Sequence, residues 1–559
     1  MRFSSLLTRA LQVVAGDSLE MASPYGLTPE ALAAGLSLDM GFPKWLRQLA
    51  SGQPGIIRPD ETPVEIDTPA GRLRGVRCEG LRIFRGIRYA LPPGGERRFA
   101  PPEPVPPWTG VQDATTFGPV VSQPGSGEVE DGLFLNVWTP DEAAGKKLPV
   151  FVFVHGGAFL FGSGSLQLYE GSALARTGIV VVTVNYRLHT PGFLPTRTTY
   201  EQYGTTGNWG LLDVIAALEW VRDNIAVFGG DPDCVTLGGQ SAGAFAVSAL
   251  ISSPRAAGLF QQAILQSGGL GSLPAAAPLT GEHLARNILL AQQAMAAAGI
   301  EDTPAGLDAL RALSVEEVLS LLPPVSGILP PQAANYWPVA DGSVIPFRFR
   351  QALRQGRLNR VPLLFGSTTD EVSFFLPPEM TETQYRHLAR LTFGARADAV
   401  MTRYPVSRGD NARSRCCDLA NAAGLRAGMF PFADALAAAG LSVYAYRFDA
   451  VDPMLRHSSV GVPHASDIKY VFHGFTDELR ASPEALADAL FVRDAWTNFV
   501  KTGDPNRGTK LPVRWEPYTT GDHRELKIGR GTRMEPIFQD DILRFVNDRF
   551  AEAEDDDEV

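Results

Sequence analysis

Cys234-Val235-Thr236-Leu237, followed by Gly239-Gln240-Ser241-Ala242-Gly243, is the stretch on which the fold turns. An apolar run leads into G-x-S-x-G. In that pattern a strand ends, the chain turns so tightly that small residues are needed two positions either side, and a helix begins with a serine hydroxyl exposed on the turn. Ala244-Phe245-Ala246-Val247-Ser248-Ala249-Leu250-Ile251 supplies the helix that the pattern requires. Ser241 is therefore the candidate nucleophile.

Working outward, Leu148 to Val154 and Gly178 to Val184 are unbroken apolar runs rich in valine, as expected of strands buried on both faces of a mostly parallel sheet. Leu211 to Val221 has apolar residues at helical spacing and leads through Phe228-Gly229-Gly230-Asp231-Pro232 into the strand before Ser241. Nearer the N-terminus, Val64 to Thr68 and Gly71 to Val76 alternate apolar and polar residues around Pro69-Ala70-Gly71, which predicts an antiparallel edge hairpin. These elements describe an α/β core, a mostly parallel central sheet flanked by helices.

Directly after the buried run Phe151-Val152-Phe153-Val154 comes His155-Gly156-Gly157. Two glycines after a strand let backbone N–H groups approach an oxygen that becomes negative in a tetrahedral intermediate. Gly156 and Gly157, with the Ala242 N–H, are the candidate oxyanion hole, and His155 is read as shaping the loop. A serine hydroxyl also needs a general base, usually an imidazole. Of the eight histidines, His464 lies in the small-residue loop Gly461-Val462-Pro463-His464-Ala465, well after the nucleophile. The acid that orients it must lie between them, and Asp370 and Glu371, just after the apolar run Val361 to Phe365, serve equally on charge alone.

Length and charge bound the rest. No repeat or low-complexity linker divides the 559 residues, which favours one large domain over 61–548, with an extension over 1–60 and an acidic, disordered tail over 549–559. A formal net charge of -11, with no cluster of Lys and Arg, argues against nucleic acid as a partner. Arg9 and Asp17 interrupt the N-terminal apolar stretch, so no export segment is expected, and no run reaches the roughly 20 apolar residues of a membrane helix. Cys78, Cys234, Cys416 and Cys417 have neither secretory nor metal-ligand spacing, which points to reduced thiols in the cytoplasm. Leu27 to Leu49 has helical content broken by Asp39, Pro43 and Trp45, and the oligomeric state is not legible.

From Pro63 to about Phe545 the chain resembles the type B carboxylesterase family, which includes bacterial para-nitrobenzyl esterases and cholinesterases. The resemblance rests on FRGIRYALPP (Phe84–Pro93), RFAPPEP (Arg98–Pro104), EDGLFLNVWTP (Glu130–Pro140), GNWGLLD (Gly207–Asp213) and FGGDPDCVTLGGQSAGA (Phe228–Ala244). It implies the α/β-hydrolase fold with cap insertions near 269–336 and 374–429. It also implies a serine carboxylesterase whose acid is the glutamate ending Gly366 to Glu371, whose base is His464, and which needs no metal or organic cofactor. The partner implied is a small-molecule ester. Arg98 with Glu130, and Arg187 with Asp213, resemble the scaffold ion pairs of relatives.

Departures from the family pattern bear on specificity. Gln240 stands where relatives commonly have glutamate, which removes a negative charge beside the nucleophile and weakens attraction for cationic substrates. Phe117 to Gln123 lacks the cysteine of secreted relatives, Gly132 stands in E-D-G-L, Ala465 follows the histidine in place of glycine, and Asp467 replaces a usual glutamate. Phe159, Phe161, Trp209, Gln240, Phe374 and Phe375 are candidates to line the substrate pocket. Alternatives of other classes are a hydrolase of amides, lactones or polycarboxylate and toxin esters, and a non-catalytic binding protein of the same fold.

Overall fold

The computed structural model describes residues 60–270, 281–322, 337–373, 376, 379–393, 396–406, 411–456, 460–474, 480 and 482–555. Leu27 to Leu49, Phe374 and Phe375 lie outside the described residues. The apolar run before the serine becomes β8 (Gly230–Gln240), one strand of a 13-stranded sheet. Its other members are β1 (Thr62–Asp67), β2 (Arg72–Cys78), β3 (Leu81–Arg88), β4 (Val111–Asp113), β5 (Phe134–Pro140), β6 (Leu148–Val154), β7 (Val180–Val184), β9 (Gln262–Gln266), β10 (Leu363–Thr368), β11 (Val443–Phe448), β12 (Arg524–Ile528) and β13 (Arg533–Pro536). The order along the sheet is β1-β2-β3-β5-β7-β6-β8-β9-β10-β11-β12-β13, with β4 beside β2. From β7 to β12 all pairings are parallel, and the antiparallel pairs lie at the two edges.

Side chains on a strand alternate between faces, and a strand covered on both sides must be apolar throughout. Strand β6 shows this directly. Val150, Val152 and Val154 enter one hydrophobic cluster, whereas Phe151 and Phe153 enter a second. Helices α1 (Trp209–Asn224) and α2 (Ala242–Ser252) contribute Leu211, Val214, Leu218, Val247 and Leu250 to the first. In the 269–336 region lies α3 (Gly281–Ala297), in the 374–429 region α4 (Ala412–Asn421). Helix α5 (Pro483–Thr502) covers the second face with Ala489, Val492, Trp496 and Phe499. The edge hairpin carries exposed pairs such as Arg74–Glu65 at 3.0 Å, of the kind worth at most about 1 kcal/mol.

Helix α6 (Asp540–Asp555) continues into the segment expected to be a disordered acidic tail. Its first turns bury Ile542, Leu543 and Val546 against the first cluster, and the hydrogen-bond ladder carries on from that anchored end. No described helix is long and apolar enough to cross a membrane. All four cysteines are free thiols. Both expected scaffold ion pairs form, Arg98–Glu130 and Arg187–Asp213, each at 2.7 Å.

Candidate active site

Strands β6 and β8 pair with Val154 opposite Gly239, so His155-Gly156-Gly157 and Gln240-Ser241 leave the sheet side by side. Ser241 sits at φ 56°, ψ −125°, and its N–H donates to the Gln266 carbonyl at 2.9 Å. Such a backbone is strained for a residue with a Cβ and persists only where its surroundings over-determine it. The flanking glycines show why. A Cβ on Gly243 would lie 2.0 Å from the Val154 carbonyl, and one on Gly239 2.4 Å from the Gly243 backbone. Helix α2 therefore starts hard against the sheet, with Ala242 in its first turn, where N–H groups lack intrahelical partners.

Across from the serine, Gly157, Ala158 and Phe159 have φ of 118°, 56° and 60° in succession. A Cβ on Gly156 would come 2.9 Å from the Ser241 Cβ, and one on Gly157 1.9 Å from the Phe161 carbonyl. His155 shapes this loop. Burial lowers its pKa to about 4, so the imidazole is neutral, and Nδ1 donates to the Gly156 carbonyl at 2.7 Å. A trans peptide sets its C=O and N–H on opposite sides, so holding the Gly156 oxygen fixes the direction of the Gly157 N–H.

The third component follows β10. Glu371 is 0% exposed; its Oε1 accepts the Thr368 N–H at 2.7 Å, and His464 Nδ1 donates to its Oε2 at 2.5 Å. The His464 N–H also donates to the Glu371 carbonyl at 3.3 Å. A carboxylate accepts only, so Nδ1 carries the proton and Nε2 is left as an acceptor. Gln240, the neighbour of Ser241, donates its amide to that Nε2 at 3.1 Å. The His464 imidazole therefore lies at the serine turn.

Asp370 takes a different place from Glu371. Its Oδ2 accepts the Val462 N–H at 2.8 Å and its N–H donates to the Val462 carbonyl at 3.0 Å, which clasps the histidine loop to the end of β10. Burial raises its pKa, with the Val462 N–H opposing. The chain turns here, with the Ser373 N–H on the Asp370 carbonyl at 3.0 Å, and the two carboxylates take different partners, Val462 for Asp370 and His464 for Glu371. Behind His464, Asp467 accepts from Gln266 Nε2 and Tyr446 OH, both at 2.8 Å, and burial raises its pKa.

The proposed pocket residues divide. Gln240 touches His464, and Phe161 is half-buried beside Gly157. Phe159 is wholly buried, with its ring 5.3 Å from Trp337 and 4.7 Å from Phe193, and Trp209 is sealed in the core against Tyr203 at 5.9 Å. Bulk at these positions packs the scaffold. Two residues that no motif singles out border the site. Trp337 stands edge-on to Phe159 and Phe245, and Asn421 holds the loop that carries Glu371.

Residues 62–546 match the profile of the Carboxylesterase family. The chain belongs to that family. Among curated relatives it is 34% identical to the para-nitrobenzyl esterase of Bacillus subtilis, over 81% of this chain and 92% of that protein. It is 34% identical to the carboxylesterase 4A of Bos taurus over 86% and 94%, and 32% identical to the fumonisin B1 esterase of Sphingopyxis macrogoltabida over 82% and 86%. Among solved structures, a Geobacillus stearothermophilus carboxylesterase superposes with a TM-score of 0.73 at 36% identity, covering 86% of this chain and 99% of that one. The fold is thus the α/β-hydrolase fold, and the activity of this carboxylesterase is that of a serine hydrolase of carboxylic esters.

Proposed function

We propose that Ser241 is the nucleophile, His464 its general base and Glu371 the acid that orients the base, with Gly156, Gly157 and Ala242 as oxyanion donors. The observation that carries this reading is the Glu371–His464 contact at 2.5 Å, which leaves Nε2 as an acceptor beside the Ser241 turn. Nε2 takes the hydroxyl proton as Ser241 attacks the ester carbonyl, and the buried carboxylate stabilises the imidazolium. The tetrahedral oxyanion is held by the backbone donors, each typically worth about 2.7 to 4 kcal/mol in the transition state. His464 then protonates the leaving alcohol, and in the second half-reaction it activates a water that releases the acid and regenerates Ser241.

Because the side chain next to the nucleophile is the neutral amide of Gln240, the favoured substrates are uncharged esters. A second reading, a toxin ester, is favoured by the 32% identity to a fumonisin B1 esterase. The four free thiols support a reducing, cytoplasmic setting. The family match over 62–546 supports one catalytic domain over 61–548, with 1–60 as an extension and 549–559 as an acidic tail.

The test is hydrolysis of para-nitrophenyl acetate, butyrate, octanoate and palmitate, and of fumonisin B1, by the protein and by Ser241→Ala. A fluorophosphonate label is mapped by mass spectrometry in parallel. Turnover lost in the variant, with the label on Ser241, is expected; full activity in Ser241→Ala would overturn the assignment.

A further inference from the structure

Helix α4 ends at Asn421, and Ala422–Arg426 form a single π turn, closed by the Ala427 N–H on the Ala422 carbonyl. Hydrogen bonds five residues apart bring residues at that spacing onto one side, whereas an α-helix would set them about 140° apart. Asn421 and Arg426 therefore both turn inward, and they are 3% and 2% exposed. Arg426 donates to Glu525 at 3.2 Å and to the Phe538 carbonyl at 2.9 Å, which ties the turn to the strands beyond β11.

Asn421 points at the loop that carries Glu371. Its Oδ1 accepts the Val372 N–H at 2.8 Å, and its Nδ2 donates to the Thr369 carbonyl at 3.3 Å. Those two backbone groups lie on either side of Glu371. Within the bracket, Glu371 has little freedom left, since Thr368 holds Oε1 and His464 holds both Oε2 and the carbonyl. Asp370 clasps the same loop to the histidine loop, but it does so from within the loop. Asn421 reaches it from the 374–429 insertion.

We propose that Asn421 is a positioning residue for the triad acid, fixing through Thr369 and Val372 the backbone from which Glu371 reaches His464. A displacement of about 1 Å in a catalytic group is enough to cost on the order of 100-fold in rate. A residue of the 374–429 region thereby also sets the geometry of the acid. This rests on the reading of Glu371 given above.

A double-mutant cycle tests it, with kcat and KM for para-nitrophenyl butyrate and the labelling rate by a fluorophosphonate as readouts. Asn421→Ala is expected to lower kcat about tenfold with KM within twofold, and to lower it less than twofold further in a Glu371→Ala background, because residues that act as a unit are not additive. Equal losses in both backgrounds, or no loss in the parent, would overturn the proposal. Asn421→Leu, which fills a similar volume without polar ends, is run in the same cycle and replaces Asn421→Ala if that variant does not fold. Full activity in Glu371→Ala alone would instead overturn the reading of Glu371, so the two failures are distinct.

Discussion

Gln240 donates an amide N–H to His464 Nε2, an interaction that a glutamate in its place could not make. A carboxylate there would accept from the imidazolium and favour the charged base. Gln240→Glu is accordingly expected to move the acid limb of the kcat/KM profile to higher pH, with the alkaline plateau changed less. Steady-state rates between pH 5 and 9 check this, and an unmoved acid limb would refute it. At the same scale, the choice between Asp370 and Glu371 shows where residue-level reading stops. Both are acidic, both follow a buried strand, and only the direction each side chain takes separates the clasp on Val462 from the contact with His464.

Among the elements, the strand-turn-helix around Ser241 is the most legible, because its glycines are demanded by contacts a few residues away in the chain or on the adjoining strand. Gly243→Ala places a Cβ 2.0 Å from the Val154 carbonyl and must push α2 from β6. Overpacking of this kind typically costs about 1–3 kcal/mol. The expected result is a lower urea midpoint together with a loss of esterase activity, and a variant with parental midpoint and rate would show that the helix has room to move. The parallel strands were legible for the same local reason, burial on both faces. Helix α4 and its π turn were not, since nothing in Ala412 to Arg426 marks a hydrogen bond reaching five residues back. The continuation of α6 to Asp555 was also missed, because its support lies in Ile542, Leu543 and Val546, upstream of the acidic run.

For the whole molecule, stability depends on charges that the core has taken out of water. Arg187 donates to Asp213 through Nε at 2.8 Å and Nη2 at 2.7 Å, and both side chains are buried. Removing one partner leaves the other charge uncompensated, so Asp213→Ala is expected to cost about 3–5 kcal/mol in chemical denaturation; a loss below about 1 kcal/mol would mean the arginine finds water. Buried histidines contribute to the loss of stability in acid. Burial lowers His155 to about 4 and His189 to about 3, whereas in the unfolded chain each takes a proton near pH 6.5. Below that pH the unfolded state binds more protons than the native one, so this contribution is complete above pH 6.5 and is lost as pH falls toward 4. Denaturation midpoints at pH 7, 5.5 and 4.5 should decline in that order, and His189→Gln should flatten the decline.

The amino-acid sequence by itself determined the strand-turn-helix at Ser241, the glycine loop, the alternation of buried strands and the family, because each depends on spacing within a few residues or on motifs that read as strings. Charge and spacing left Asp370 and Glu371 equal, and only the family resemblance chose Glu371; the tertiary structure set Glu371 against His464, placed Phe159 and Trp209 in the core, and brought Asn421 to the Glu371 loop. Those outcomes depend on which way a side chain leaves the backbone and on residues brought together from 49 and 93 positions apart. Chain distance carries no record of such contacts; packing makes them.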